Sequence, residues 1–241
     1  MQIVITMAGL GTRFKKAGYD KPKYEIEVHG RTLFSWSMES LEGLRRPGDD
    51  HYFIVRRADD ARSFILSEWE KIAGTDNAHV IELDEMTDGQ ATTAMLAAPY
   101  WKKEDSLLIY NIDTYVEKGC MNLSSVEVDG FIPCFNALGD HWSFVEVNGS
   151  GDAVAVREKQ RISDNCTLGA YYFRTCDLYE RMYKEYYGAG SNMEKGEKYV
   201  APLYNHMIGK GMKVRISLVD AARVHVLGTP EELKVFAEAD V

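Results

Sequence analysis

The 241-residue chain carries 37 acidic against 28 basic side chains, a formal net charge of −9. That balance excludes a broad nucleic-acid footprint but leaves room for a local basic pocket holding the phosphates of a small molecule. The length is enough to bury a substantial core without metals or disulfides as staples.

The apolar run Gln2 to Thr6 predicts a first strand, with no basic signal region before it and no later stretch approaching the ~20 apolar residues that span a bilayer. No membrane partner is expected. MAGLGTRF follows at once, from Met7 to Phe14. A strand running into a glycine-containing turn brings backbone close to a ligand, with an anion as the first candidate. Ala8, Gly9, Leu10, Gly11 and Thr12 offer backbone N–H groups to phosphate oxygens, and Arg13 adds a charged, forked donor. The same stretch also suits a tight strand-to-helix turn bearing a surface arginine. It is not a Walker loop, because no Gly-Lys-Ser or Gly-Lys-Thr follows, and Phe14 leaves the GxGxxG fingerprint of a Rossmann-type oxidoreductase incomplete. Next, DKPKYEIEVHG sets Lys21 and Lys23 around Pro22, whose fixed φ can aim Lys23 back toward the same phosphates.

Helical patterns at Thr32 to Leu44, Asp60 to Ala73 and Gly89 to Trp101 alternate with strands at His51 to Val55, His79 to Leu83 and Ser106 to Asp113. The alternation predicts βαβ crossovers and a mainly parallel sheet with helices on both faces. Phe34, Met38 and Leu41 form one buried stripe, and Ala91, Ala94, Ala97 and Ala98 let a helix lie close to the sheet. Strands at Gly130 to Phe135, Ser143 to Val147, Ala153 to Glu158 and Leu168 to Thr175, separated by glycine, asparagine and aspartate turns, predict antiparallel additions. Helices at Asp177 to Tyr187 and Val200 to Ile208 and strands at Lys213 to Val219 and Val224 to Val226 follow. Thr229, Pro230 and Glu232 then supply a cap, a first-turn proline and a capping-box acid for a last helix. With no linker or repeat, one α/β domain is expected.

Ligands of open α/β sheets bind beyond the carboxyl ends of the strands, so residues just after apolar runs are the candidates. Asp113, ending LLIYNI, puts a carboxylate there, with a turn-capping aspartate as the alternative. Lys159 beside Glu158 suits either a ligand contact or an ordinary surface ion pair. YERMYKEYY reads as a core-facing helix with wet tyrosine hydroxyls. His29, His51, His79, His141 and His206 show no metal-ligand spacing. Cys120, Cys134, Cys166 and Cys176 lack CxxC pairing and the density of a secreted scaffold, so reduced thiols in a cytoplasm are expected.

As one unit, GTRF followed by DKPKYEIEVHGRTLF resembles the nucleotidyltransferase family of sugar-phosphate nucleotidylyltransferases, whose pattern is GxGTR, a short spacer, PK, a small apolar segment and a glycine turn. TDGQATTAML resembles the family's base-recognition segment, which implies that Gly89 and Gln90 face the nucleobase and ribose. LLIYNIDTYV is similar to the strand that normally ends in Gly-Asp, which implies that Asp113 holds Mg²⁺. VAVREKQ and LGAYYF resemble the segments that imply Glu158, Lys159 and Gly169 at the acceptor, with Lys23 between it and the nucleotide. VHVLGTPEEL resembles the late Asp-x-Gly-Thr-Pro segment, but Val226 stands where the second magnesium-binding aspartate is usual, and Asn111-Ile112 replaces the small residue before Asp113. Either Asp220 or His225 supplies the missing ligand, or Mg²⁺ is held by Asp113, triphosphate oxygens and water.

The resemblance implies a Rossmann-like three-layer sandwich with a nucleotide half (1–115) and an acceptor half (116–241). It further implies metal-dependent transfer of a nucleotidyl group from an NTP, CTP or UTP favoured, to a sugar phosphate or related small phosphate. Pyrophosphate leaves, and the product is an activated precursor for surface or capsule polysaccharide. A choline-type acceptor would call for an aromatic cage, for which Trp142, Tyr171 and Tyr172 are the candidates. The competing expectation is a non-catalytic nucleotide-binding module of the same fold. Homo-oligomerisation is compatible with either.

Overall fold

The first apolar run forms strand β1 (Gln2–Thr6), in which Ile3, Val4 and Ile5 are fully buried. The computed structural model describes residues 1–74, 77–123, 127–188 and 192–239. After β1 come α1 (Thr12–Lys16), the hairpin β2 (Glu27–Val28) and β3 (Arg31–Thr32), α2 (Leu33–Glu39), β4 (Asp50–Arg56), α3 (Arg62–Ala73), β5 (Ala78–Leu83), α4 (Gln90–Met95), β6 (Leu107–Asn111) and β7 (Thr114–Val116). The later half contributes β8 (Gly130–Asn136), β9 (Ser143–Val147), β10 (Ala153–Glu158), β11 (Asn165–Thr167), β12 (Ala170–Phe173), α5 (Cys176–Tyr187), α6 (Ala201–Gly209), β13 (Val214–Leu218), β14 (Val224–Val226) and α7 (Pro230–Ala237).

A ten-stranded sheet runs β10-β9-β11-β8-β12-β6-β1-β4-β5, with β13 added parallel to β8. Strands β5, β4, β1 and β6 are parallel, as their crossovers require, and β12 opens the antiparallel part against β6. The central strands read as continuous apolar runs because both faces are covered. Val4, Ile54 and Ile109 join the core beneath α4, α5 and α6, while Ile3, Ile5, Phe53 and Leu108 point the other way, toward α2 and α3. This is the period-2 alternation of a strand. A third cluster, built on Phe14, Trp36, Tyr115, Leu227 and Phe236, ties α1, α2 and α7 to the sheet's carboxyl edge.

Three elements are shorter than the sequence predicts. The Thr32 to Leu44 helix stops at Glu39, after which turns carry the chain and the Ser40 hydroxyl accepts from the Val116 N–H at 2.9 Å. The Gly89 to Trp101 helix stops at Met95, ahead of Pro99, which disfavours helical backbone in the residue before it. The Leu168 to Thr175 strand is confined to β12, beginning only after Gly169, where φ is +74°, and β11 ahead of it is a strand the sequence did not predict. All four cysteines are free thiols, three of them buried. Among the described residues no helix is long and apolar enough to cross a membrane.

Candidate functional site

A cleft of about 710 Å³ opens beyond the carboxyl ends of β1 and β6. Its walls come from the loop after β1, the segment before α4, the turn after β6, the antiparallel half of the sheet, and the β14–α7 connection. The structure thereby gathers the early and late motifs of the sequence into one place.

On the nucleotide side, the Met7 N–H donates to the Ile54 carbonyl at 3.0 Å. Beyond it, none of the N–H groups from Ala8 to Thr12 donates to an acceptor among the described residues. Gly11, at φ +61° and ψ +28°, turns the chain into α1, a conformation glycine adopts without steric cost. The loop thus presents a run of unclaimed donors to the cleft, the arrangement that receives phosphate oxygens. Arg13 lies exposed on the same wall, with no hydrogen bond or ion pair among the described residues. Lys23 opens a one-turn 3-10 helix after Pro22, and its Nζ donates to Asp113 Oδ1 in an ion pair whose side chains are 15% and 42% exposed.

Asp113 sits between β6 and β7, held from behind by the buried Ile112. β14 returns antiparallel to β7, with Val226 opposite Thr114, and the Leu227 N–H donates to the Asp113 carbonyl at 2.7 Å. The late segment is therefore in place beside Asp113, and valine occupies its cleft-facing position. The candidate substitutes are engaged elsewhere. Asp220 does not line the cleft; its Oδ1 accepts from the Ala222 N–H at 3.0 Å to cap a turn. His225 lies 3.5 Å from Glu117 Oε1 and stacks on Tyr115.

The carboxylate that does face Asp113 is Glu232, which the sequence assigns to a capping box. Only half of that box forms: Thr229 Oγ1 accepts from the Glu232 N–H at 3.2 Å. Glu232 Oε2 is instead buried without a partner. A Cβ placed on Gly228 would lie 3.4 Å from Glu232 Oε2 and 3.8 Å from Asp113 Oδ2, so both oxygens border one small space. An orphaned buried carboxylate oxygen calls for a proton, a water or a cation. Mg²⁺ is ordinarily held by one or two carboxylates together with phosphate oxygens and waters, so this donor set fits it. Lys23 takes the other Asp113 oxygen, leaving Oδ2 available. Among the described residues no group of three or more metal-ligating side chains occurs.

Gly89 and Gln90 line the cleft as the resemblance implies. Gly89 adopts φ +140°, and a Cβ there would fall 2.5 Å from the Lys198 backbone. That close approach lets the Lys198 N–H donate to the Asp88 carbonyl at 2.7 Å and the Ala91 N–H to the Lys198 carbonyl at 3.0 Å. Gln90 Nε2 donates to Thr6 Oγ1 at 3.2 Å and to Asn111 Oδ1. The bulk of Asn111 is accommodated by Gly169, on which a Cβ would meet Asn111 Nδ2 at 2.6 Å. Gly169→Ala is expected to cost about 1–3 kcal/mol in urea unfolding, through the positive φ and the displaced amide. Gly149→Ala, whose Cβ meets nothing within 4 Å, should stay within about 0.5 kcal/mol of the parent.

The acceptor side is built from the antiparallel half of the sheet and the stretch before α6. Glu158 ends β10 in the cleft wall with its side chain 7% exposed, accepting from the Ser143 hydroxyl. Lys159, by contrast, is not among the lining residues: its Nζ donates to Tyr199 Oη at 2.6 Å and lies 3.6 Å from Glu158 Oε1. Its charge is already spoken for at the rim. Of the three aromatic candidates, Trp142 and Tyr171 line the cleft, but Tyr172 points to the opposite face of β12, as strand alternation dictates. Burial, reinforced by the nearby Glu158, pushes the Tyr171 hydroxyl up to about 12. Glu197 and Tyr199 complete this wall. Nothing in their polar stretch before α6 signalled a role.

No protein-family model and no curated protein matches the chain. Among solved structures, the nucleoside-diphosphate-sugar pyrophosphorylase from Vibrio cholerae RC9 is 35% identical, covers 98% of this chain and 100% of its own, and superposes with a TM-score of 0.87. The inositol-1-phosphate CTP transferase from T. maritima shares the fold at 19% identity over 98% of this chain and 93% of its own, with a TM-score of 0.76. The CTP:phosphocholine cytidylyltransferase from Streptococcus pneumoniae does so at 15% identity over 98% and 97%, with a TM-score of 0.69.

Proposed function

The chain belongs to the sugar-phosphate nucleotidyltransferases, and we propose that it transfers a nucleotidyl group from an NTP to a sugar phosphate with release of pyrophosphate. The observation that carries this reading is the convergence of the donor-rich Ala8 to Thr12 loop, Arg13, Lys23 and Asp113 on one cleft. The acceptor's phosphate oxygen is already an anionic nucleophile, so attack on the α-phosphorus needs no general base. Positioning and charge neutralisation carry the catalysis. The loop N–H groups hold the triphosphate, and Arg13 and Lys23 offset the repulsion between the two phosphate groups. Asp113 and Glu232 are the residues that would hold Mg²⁺, which when bound screens charge on the α-phosphate and the leaving pyrophosphate.

On the acceptor side, Glu158 and Glu197 offer carboxylate oxygens to sugar hydroxyls, and Trp142 and Tyr199 offer ring faces to its C–H surface. Residues up to about 115 would bind the nucleotide and those beyond it the acceptor, within one domain. CTP or UTP is the preferred donor in this reading, the product an activated precursor for surface polysaccharide, and the reduced thiols suit a cytoplasmic enzyme. A non-catalytic binding module would follow if Val226 left the metal a ligand short; Glu232 is the candidate that fills that place.

Pyrophosphate release with CTP, UTP, dTTP, GTP and ATP, each with Mg²⁺ and a panel of sugar, polyol and choline phosphates, tests the reading. Release that needs one nucleotide and a sugar phosphate is expected. Nucleotide binding without release across the panel would return the fold to a binding role.

A further inference from the structure

A second cavity, of about 300 Å³, lies at the other end of β4 from the cleft, where the turns after α2, the start of β4 and α3 meet. Glu42, Arg45, Arg46, Asp49, His51 and Trp69 are among its lining, and it shares no lining residue with the cleft.

The charges of this cavity do not balance internally. Glu42 pairs with Lys118 at 2.9 Å, and Asp49 pairs with the Met1 ammonium at 2.7 Å while accepting from the Arg46 N–H. Both carboxylates are therefore committed, whereas neither Arg45 nor Arg46 has an ion-pair partner among the described residues. The Arg45 guanidinium stands 5.3 Å from the Trp69 ring centroid and reaches only the Ile72 carbonyl, at 3.5 Å. Burial, partly offset by the nearby Glu42, lowers its pKa.

Two fully buried side chains add unfilled hydrogen-bonding atoms. His51 and Trp69 are 3% and 1% exposed, and His51 Nε2 and Trp69 Nε1 both lack a partner. His51 Nδ1 lies 3.1 Å from the Asp49 carbonyl, which can only accept, so the ring proton sits on Nδ1 and Nε2 is a bare acceptor. Burial first, then the nearby Arg45, holds this imidazole neutral, with its pKa down to about 4. Trp69 Nε1–H can only donate. One wall thus wants an acceptor and a negative charge, and a neighbouring atom wants an O–H. A water supplies no negative charge, so the partly buried Arg45 guanidinium would remain without an ion-pair partner among the described residues.

We propose that this cavity binds a small oxyanion that also carries an O–H, the class of hydrogen phosphate and protonated phosphomonoesters, with Arg45 and Trp69 donating to its oxygens and His51 Nε2 accepting from its hydroxyl.

The test is calorimetric titration of the full chain with inorganic phosphate at neutral pH, alongside the variants Arg45→Gln, Trp69→Phe and Arg13→Ala, each checked for a native circular dichroism spectrum. Saturable binding is expected, weakened about tenfold or more by Arg45→Gln and measurably by Trp69→Phe, consistent with charged and neutral hydrogen bonds. Trp69→Phe keeps the ring packing and so holds the test if Arg45→Gln fails to fold. Arg13→Ala, which acts on the cleft, should leave this binding unchanged. Sulfate, an oxyanion without the hydroxyl at this pH, is expected to bind more weakly than phosphate. No saturable binding, equal binding in all variants, or loss with Arg13→Ala alone would overturn the proposal, and sulfate binding as tight as phosphate would overturn the role of His51.

Discussion

Arg13→Ala and Lys23→Ala are each expected to lower kcat by about 10²–10³-fold, the range typical of removing one group that neutralises charge developing in a transition state. Neither should unfold the protein. Arg13 is exposed and makes no hydrogen bond or ion pair among the described residues, so its removal forfeits no polar contact among them. Lys23 gives up its pair with Asp113, but that carboxylate is 42% exposed and remains hydrated. Such a pair contributes about 0–1 kcal/mol, a Tm shift of a few degrees at most for a chain of this size. Steady-state kinetics and thermal unfolding on the same preparations separate the two effects. Loss of fold with loss of activity would return both residues to a structural role.

The second large effect concerns Glu232. Glu232→Gln and Asp113→Asn are each expected to raise the Mg²⁺ concentration for half-maximal activity by about tenfold or more, within the range seen when a site loses a ligand or its support. They should also weaken Mn²⁺ binding to the nucleotide complex, read by electron paramagnetic resonance independently of turnover. Stability carries the opposite sign. Glu232 Oε2 is buried, unpaired and close to a second carboxylate, so neutralising it should leave the metal-free protein as stable or more so. A purely structural glutamate would behave the other way. Because β14 sets residue 226 beside the Asp113 turn, Val226→Asp in the Glu232→Gln background is expected to restore part of the lost affinity. An unchanged metal response in Glu232→Gln would leave Asp113, phosphate oxygens and water as the whole coordination shell.

Much of the nucleotide side was legible in the sequence because its residues follow strands directly. An apolar run ending in GLGTR or in NID fixes a loop at the sheet's carboxyl edge whatever the rest of the chain does, and Arg13 and Asp113 are where that argument puts them. The acceptor side depends on tertiary contacts that leave no local pattern. Lys159 suited a ligand contact or a surface ion pair, and its hydrogen bond to Tyr199, forty residues on, has no signal in its own neighbourhood. Tyr172 shared an aromatic run with Tyr171; strand alternation sets the two rings on opposite faces, and only the pairing of β12 with β6 and β8 decides which of them reaches the cleft. Glu232 carried a true signal with a second meaning: a glutamate three residues after a capping threonine satisfies the capping-box pattern, and its side chain turns to the cleft instead. The helix after Thr32 ended early because Ser40 is claimed by the backbone of β7, a partner seventy-six positions away.

The most direct test of nucleotidyl transfer follows the α-phosphate. Purified protein, Mg²⁺, α-³²P-labelled CTP or UTP and a sugar phosphate are combined, and labelled product is counted against pyrophosphate. Label is expected to enter a nucleotide-linked product one-for-one with pyrophosphate, and only when the acceptor is present. Label that stays in bound nucleotide, or appears as free nucleoside monophosphate whether or not the acceptor is added, would contradict nucleotidyl transfer.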